Sequence, residues 1–111
     1  MLQLKSTLFA LCIIFSSSVF ANNDLANGAE KFKVNCQICH GIKGHGDGIN
    51  AASLPKRPAN IAKKLSKPFK LKYFLLQDVL GGKQSEGMPA FANVLTKQDV
   101  YDIFAYVESV Q

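Results

Sequence analysis

The sequence predicts a single all-α domain with three main helices and long loops. Three segments carry apolar residues at helical spacing, and polar capping residues begin the first and the last of them. Glycine- and proline-containing stretches separate these segments, and no run alternates apolar and polar residues long enough to predict a strand. A chain of 111 residues is the usual length of one domain.

Residues 1–21 are predicted to be a cleaved signal peptide, followed by the domain of residues 22–111. Lys5 is the only charge in the leader, the stretch after it is apolar or small, and Ala21 fits a small-residue cleavage site. The apolar stretch is shorter than the roughly 20 residues that cross a bilayer, which favours cleavage over a membrane anchor. We therefore expect an exported, periplasmic protein that loses Cys12 with the leader.

The first helix is predicted from Asn23 or Asp24, either of which can cap its start, to Asn35. Its apolar residues recur at positions i, i+4 and i+7, counted from Leu25, and form one face. This face is expected to pack against the rest of the domain.

The middle of the chain is predicted to be a loop. Residues 41–48 contain four glycines in eight positions, which lets the backbone wrap closely around another group. Pro55 and Pro58 leave room for at most a short helical piece within residues 51–65.

Two further helices are predicted in the second half of the chain. One spans roughly residues 71–80 and is stopped by Gly81 as its C-terminal cap. A loop that contains Met88 follows. The last helix begins with a capping box formed by Thr96 and Asp99, and an apolar stripe follows it.

The charge is basic and unevenly distributed. Loss of Lys5 takes the 13 basic residues to 12, which gives a net charge of +4 against 8 acidic residues. Seven of the 12 basic residues lie within residues 56–72. An ordinary solvated face accounts for most of them, and a patch that steers the protein to an acidic partner is the sharper interpretation. Nucleic acid is not expected as a partner, because no groove-reading or stacking motif is present.

Cys36, Cys39 and His40 form a Cys-x-x-Cys-His motif with four competing interpretations. A redox dithiol usually lies in a βαβ setting, which this sequence does not show. A zinc site needs four ligands, and two adjacent residues such as Cys39 and His40 cannot easily bind the same tetrahedral ion. A chance cluster would leave bare thiols in an oxidising compartment. The fourth interpretation is haem attachment, in which the thiols form thioethers with the haem vinyl groups and the histidine binds iron.

Met88 is the candidate for a sixth iron ligand, which an electron-carrying haem requires. It is the only methionine left after export, and it lies in a loop 48 residues beyond His40. Gly87 and Pro89 on either side make a helical core position a weak explanation. His45 is the rival ligand, but it is only five residues from His40, and we interpret it as an exposed loop residue.

These features together resemble the small monohaem bacterial cytochromes c of class I, over essentially all of residues 22–111. Residues 36–48 are similar to the family's haem motif and the glycine-rich stretch after it. Residues 54–61 are similar to its proline-containing loop under the proximal histidine, and residues 87–91 to its distal ligand loop. Residues 95–107 look like the family's closing helix.

The first helix also fits this family. Gly28 and Phe32 lie eight and four residues before Cys36, where a glycine and an aromatic residue let the family's first helix cross its last one closely. Tyr106 is the expected aromatic partner on the last helix.

The resemblance implies the class I cytochrome c fold, with three main helices and long loops wrapped around one covalently attached haem c. It implies that Cys36 and Cys39 bind the haem covalently. It also implies that His40 and Met88 are the axial ligands of the iron.

The resemblance assigns supporting roles to residues around the haem. A proline carbonyl would accept a hydrogen bond from the second ring nitrogen of His40 and fix its orientation. Pro58 is the preferred residue, and Pro55 is the alternative. Ile61 and Phe91 would keep water away from the haem.

The function implied is that of a periplasmic one-electron carrier with His/Met ligation, not an enzyme, and without catalytic residues. Its partners would be redox proteins with an acidic docking patch, and membrane contact would occur only through them. The alternative is a haem c subunit or accessory of a larger membrane-associated oxidoreductase complex. A ligand-binding haem sensor and a haem-free dithiol or zinc protein are further alternatives.

Overall fold

The computed structural model describes residues 22–68 and 70–111, and the predicted signal peptide lies outside them. Within these residues every regular element is helical apart from one isolated β-bridge, which confirms the predicted all-α class. The α-helices are α1 (Leu25–Asn35), α2 (Gln37–His40), α3 (Ile61–Leu65), α4 (Lys70–Gly81) and α5 (Lys97–Ser109). Short 3-10 helices occur at Ala51–Ser53 and Gln84–Glu86.

Side-chain caps fix the starts of the first and last helices. Asp24, rather than Asn23, caps α1, and its carboxylate accepts a hydrogen bond from the Asn27 backbone N–H at 2.9 Å. The predicted capping box of α5 is confirmed, because Thr96 Oγ1 accepts from the Asp99 N–H while the Asp99 carboxylate accepts from the Thr96 N–H. These caps satisfy backbone donors that have no partner inside the helix.

The end of α4 differs from the prediction. Gly81 is the last helical residue, and Gly82 is the residue that takes a left-handed conformation, with φ of 73°. At Gly82 the chain turns back closely against Pro89 and Ala90, where a side chain would collide with backbone atoms. Contact with the following loop therefore decides which of the two glycines ends the helix.

The closest helix crossing joins α1 to α5. A Cβ atom at Gly28 would overlap the backbone carbonyl of Asp102, so only glycine fits at this point. Next to the crossing, Phe32 is fully buried and its ring centroid lies 5.7 Å from that of Tyr106. The close crossing expected from the sequence is thereby confirmed.

The apolar core lies around α5, against which α1, α3 and α4 pack. Its buried members in the described chain are Phe32, Leu65, Leu75, Leu76, Leu95, Val100, Ile103, Phe104 and Val107. No helix within residues 22–68 and 70–111 is long and apolar enough to cross a membrane.

Asp102 is the only buried charged side chain in the part of the chain that the structure describes. Its carboxylate accepts three hydrogen bonds of 2.9 Å, from the backbone of Asp24 and from the side-chain amides of Asn27 and Gln98. Burial tends to raise the pKa of this carboxyl, but the three hydrogen bonds outweigh it and hold the pKa below its usual value. The charged group therefore ties the start of α1 to α5.

We expect the Asp102 carboxylate to make folding stability depend on pH. Because its pKa is lower in the folded than in the unfolded chain, its stabilisation is complete above the unfolded value of about 3.9 and is lost as the pH falls through the folded value. Asp102→Asn should lower the free energy of unfolding at pH 7 by roughly 2 kcal/mol, since it removes the charge and replaces one accepting oxygen by an NH2 group beside the donors. Urea unfolding of both proteins at pH 7 and pH 3 measures this, and the difference should shrink at pH 3.

Glu30→Gln is a suitable control, because Glu30 is an exposed carboxylate on α1. Its effect should stay within about 0.5 kcal/mol at both pH values. If Asp102→Asn lowers the free energy of unfolding by the same amount at pH 7 and at pH 3, the Asp102 carboxylate is not the source of the pH dependence.

Candidate functional site

One cavity of about 380 Å³ is bordered by residues of all five helices and of two loops. Its volume lies in the range of roughly 300–1,000 Å³ that is usual for small-molecule and cofactor sites. The apolar part of its lining comprises Leu54, Pro58, Ala59, Ile61, Leu75, Val79, Met88, Pro89, Phe91, Val100, Ile103 and Phe104. Such a lining suits a large apolar ligand.

The Cys-x-x-Cys-His motif forms a single helical turn at the wall of this cavity. The backbone N–H of Cys36 closes the end of α1, and His40 N–H donates to the Cys36 carbonyl at 2.9 Å to form α2. This turn places both half-buried thiols and the imidazole of His40 at the same cavity. The sequence pattern did not predict α2, which is too short to show periodicity.

The Cys36 thiol is poorly suited to redox chemistry as it stands. Burial, and then the neighbouring Cys39, raises the pKa of the Cys36 thiol to about 12. Little thiolate exists at neutral pH in such a group, and the thiolate is the form that attacks disulfides. Within the described residues, no group of three or more His, Cys, Asp or Glu side chains could hold a metal ion.

The ring of His40 is oriented by the backbone. Its Nδ1 lies 3.0 Å from the carbonyl oxygen of Ala59, which can only accept, so Nδ1 carries the proton and Nε2 keeps its lone pair. Burial lowers the pKa of His40, the hydrogen bond to Ala59 opposes this, and the charge of Lys64 adds to the lowering. A neutral imidazole with a free Nε2 is the form that binds a metal.

The carbonyl partner of His40 corrects the sequence-based assignment. Ala59, and neither Pro58 nor Pro55, supplies it. The Pro58 carbonyl instead faces Gly46, where even a Cβ atom would overlap it. Pro58 still lines the cavity. The extra residue between the proline and Asn60 moves the accepting carbonyl one position along the chain.

The glycine-rich loop holds α3 against the cavity and turns His45 away from it. The carbonyl of Gly44 accepts from Ile61 N–H at 2.7 Å, and the Asn60 side chain caps the same helix. Ile61 thereby lines the cavity. His45 is exposed, as predicted, and its Nε2 lies 2.7 Å from the side-chain oxygen of Gln111.

A tight turn carries Met88 to the cavity. Lys83 N–H donates to the Met88 carbonyl at 2.8 Å, and Met88 N–H donates back to the Lys83 carbonyl at 3.1 Å. Gly87 allows this turn with a φ of 87°, and Phe91 N–H ties the end of the loop to the Val79 carbonyl of α4 at 3.1 Å. The backbone that presents the thioether is therefore held at both ends.

The structure brings every predicted site residue to this one cavity, namely Cys36, Cys39, His40, Pro58, Ile61, Met88 and Phe91. Two thiols, an imidazole nitrogen with a free lone pair and a thioether sulfur border a mostly apolar space. This donor set fits an iron porphyrin that is attached through two thioether bonds.

Three further lining residues come from the last helix. Val100, Ile103 and Phe104 belong to the apolar stripe of α5 and are part of the buried core. In the structure the same side chains also face the cavity. Helical spacing identifies an apolar face but does not show whether protein or a ligand covers it.

The basic stretch of residues 56–72 is divided between the cavity and the outer surface. Lys56, Arg57 and Lys64 border the cavity. Lys72 instead forms a salt bridge with Glu108 of α5.

Comparison with known proteins agrees with this donor set. Residues 25–111 match the family model for cytochrome c. The chain is 37% identical over 84 residues to the cytochrome c6 of Parathermosynechococcus lividus, and 37% identical over 91 residues to that of Synechococcus elongatus. Each alignment covers 76% of this chain and 87% of the relative. The cytochrome c6 of Thermosynechococcus vestitus is also 37% identical, in an alignment that covers 76% of this chain and 68% of the relative.

A solved structure has a similar fold. It belongs to the Kuenenia stuttgartiensis reducing HAO-like protein complex and superimposes with a TM-score of 0.62 at 24% identity. The alignment covers 78% of this chain and 43% of the other, so this chain spans less than half of that one. At this identity the likeness concerns the fold alone.

Proposed function

Because the chain belongs to the cytochrome c family, whose members carry covalently bound haem c and transfer electrons, we propose that it is a periplasmic one-electron carrier. The observation that carries the proposal is the meeting of two thiols, an oriented imidazole and a thioether at one apolar cavity. The bound haem supplies the redox chemistry, since its iron gains and loses one electron.

In this proposal four side chains hold the haem. Cys36 and Cys39 would attach it through thioether bonds, and His40 and Met88 would bind its iron. The hydrogen bond from His40 to the Ala59 carbonyl keeps the ring in the orientation and tautomer that leave Nε2 available.

His/Met ligation favours electron transfer over bond-making chemistry. With His40 and Met88 both bound to the iron, a substrate would have no position on it. The soft thioether of Met88 would stabilise ferrous iron and raise the reduction potential relative to two imidazoles. Ile61, Phe91 and the faces of α4 and α5 exclude water, which adds to this effect.

The proposed partners are redox proteins with an acidic docking patch, and membrane contact would occur through them. The basic stretch of residues 56–72, part of which borders the cavity, supports this proposal. Electron-transfer encounters bury little surface, so charge attraction between the partners speeds their association and weakens as salt is added.

We expect the purified protein to give a c-type pyridine haemochrome spectrum with one haem per chain. The haem should stay on the polypeptide in a denaturing gel, because thioether bonds survive unfolding. A double variant with Cys36→Ser and Cys39→Ser should lose the attached haem completely. In Cys12→Ser, which alters only the predicted leader, attachment should be unchanged.

The proposal is wrong if the protein contains no haem or if solvent extraction removes it. Export is tested in the same preparation, since the periplasmic protein should begin at residue 22. Elution as a small protein in gel filtration supports a free carrier. Persistent co-elution with a large complex would favour the alternative of a haem c subunit of an oxidoreductase.

A further inference from the structure

Two cationic side chains at the cavity already have carboxylate partners. Lys56 Nζ lies 3.0 Å from Glu86, and Lys83 Nζ lies 3.2 Å from Asp78. All four of these residues line the cavity, so these positive charges are neutralised by the protein itself.

Arg57 and Lys64 line the same cavity without such a partner. No salt bridge within the described residues includes either of them. Lys64 is half-buried, and a charge that is partly removed from water is unfavourable unless an opposite charge compensates for it. An anionic group in the cavity would supply that compensation.

Both unpaired cations come from the wall that carries His40. Lys64 lies one helical turn after Ile61 on α3, and both residues face the cavity. Arg57 directly precedes Pro58, in the loop that holds the His40 ring.

We propose that Arg57 and Lys64 bind the two carboxylates that a haem carries on its propionate side chains. This inference rests on the proposed function, because the haem is the group that brings carboxylates to this cavity. A guanidinium can bind a carboxylate through two parallel hydrogen bonds, and an ammonium binds it as a point charge. Lys63 is adjacent to Lys64 but is exposed and does not line the cavity.

This pairing makes both cations determinants of the reduction potential. A cation that neutralises a carboxylate near the iron removes a negative charge that would otherwise stabilise the ferric state. Arg57→Gln and Lys64→Gln should therefore each favour the oxidised protein. Lys63→Gln removes one lysine charge from the same short helix and provides the matched control.

The test uses the haem-loaded full chain with two measurements. In redox titration against a mediator of fixed potential, we expect each of Arg57→Gln and Lys64→Gln to shift the equilibrium about threefold to tenfold toward the oxidised form, where tenfold is about 59 mV for one electron. The resonance Raman band of the propionate bending vibration should move in the same two variants. Lys63→Gln should leave that band in place and shift the equilibrium less than about twofold.

Lys64→Arg keeps the charge, and wild-type behaviour in both measurements is expected. A retained far-red methionine–iron band shows that a shift does not arise from loss of Met88. If the Raman band stays unchanged in both glutamine variants, or if their shifts equal that of Lys63→Gln, the inference is overturned. If Lys64→Gln does not fold, the Arg57→Gln variant still tests the inference, because Arg57 is exposed. Absence of haem c from the wild type would instead overturn the proposed function.

Discussion

Replacing Met88 with alanine is expected to abolish the far-red methionine–iron absorption band and to lower the reduction potential. Met88 is the only methionine that follows the predicted leader, and a tight turn presents it to the cavity. A change of axial ligand alters haem potentials within a span of roughly 0.8 V, so a decrease on the order of 0.2 V is expected. Visible spectroscopy and redox titration of the purified variant measure both effects.

His45→Ala is the control for this experiment, because His45 is the rival ligand in the sequence. Its side chain contacts Gln111 and is exposed, so the spectrum and the potential should remain those of the wild type. Survival of the far-red band in Met88→Ala would exclude Met88 as the ligand. Loss of low-spin character in His45→Ala would point to His45 instead.

Gly28→Ala should reduce the free energy of unfolding by about 3 kcal/mol, a large part of the roughly 5–15 kcal/mol that stabilises a typical domain. The added Cβ atom would overlap the backbone carbonyl of Asp102, and it would come within 3.1 Å of the Ile103 nitrogen. Backbone atoms of α5 cannot move aside as a flexible side chain can, so the two helices must separate. Separation would also strain the hydrogen bonds of Asp102 with α1. Urea unfolding followed by circular dichroism gives the difference.

Gly81→Ala is the matched control, since Gly81 is also a helical glycine. No heavy atom of the described residues beyond its own surroundings lies within 4 Å of a Cβ atom placed there. Alanine at this position should be neutral or stabilise the protein by up to about 1 kcal/mol, because glycine is the weaker helix former. Equal losses in the two variants would show that the helix crossing does not depend on Gly28.

Features that depend on neighbouring residues were predicted correctly from the sequence. The helical periodicity and the capping box of Thr96 and Asp99 both operate within a few positions along the chain. Gly28 and Phe32 are also identifiable from the sequence, because their spacing from Cys36 resembles a family pattern. Their packing against α5 is visible in the structure itself.

Features that depend on which segments meet in space were predicted less well. The choice of Pro58 as the partner of His40 was wrong, because the Ala59 carbonyl is the one that lies within hydrogen-bond distance of the ring. Gly82 replaces Gly81 as the turning residue because of its close approach to the loop after Met88.

By itself the sequence determined the helical class, the capped helix starts and the chemical identity of the groups offered to a haem. Each of these follows from residue type and short spacing, on which side-chain chemistry and local hydrogen bonding act directly. Only the tertiary structure decided which carbonyl orients His40 and which cations near the cavity lack a partner. Those outcomes depend on contacts between distant segments, which spacing along the chain does not specify.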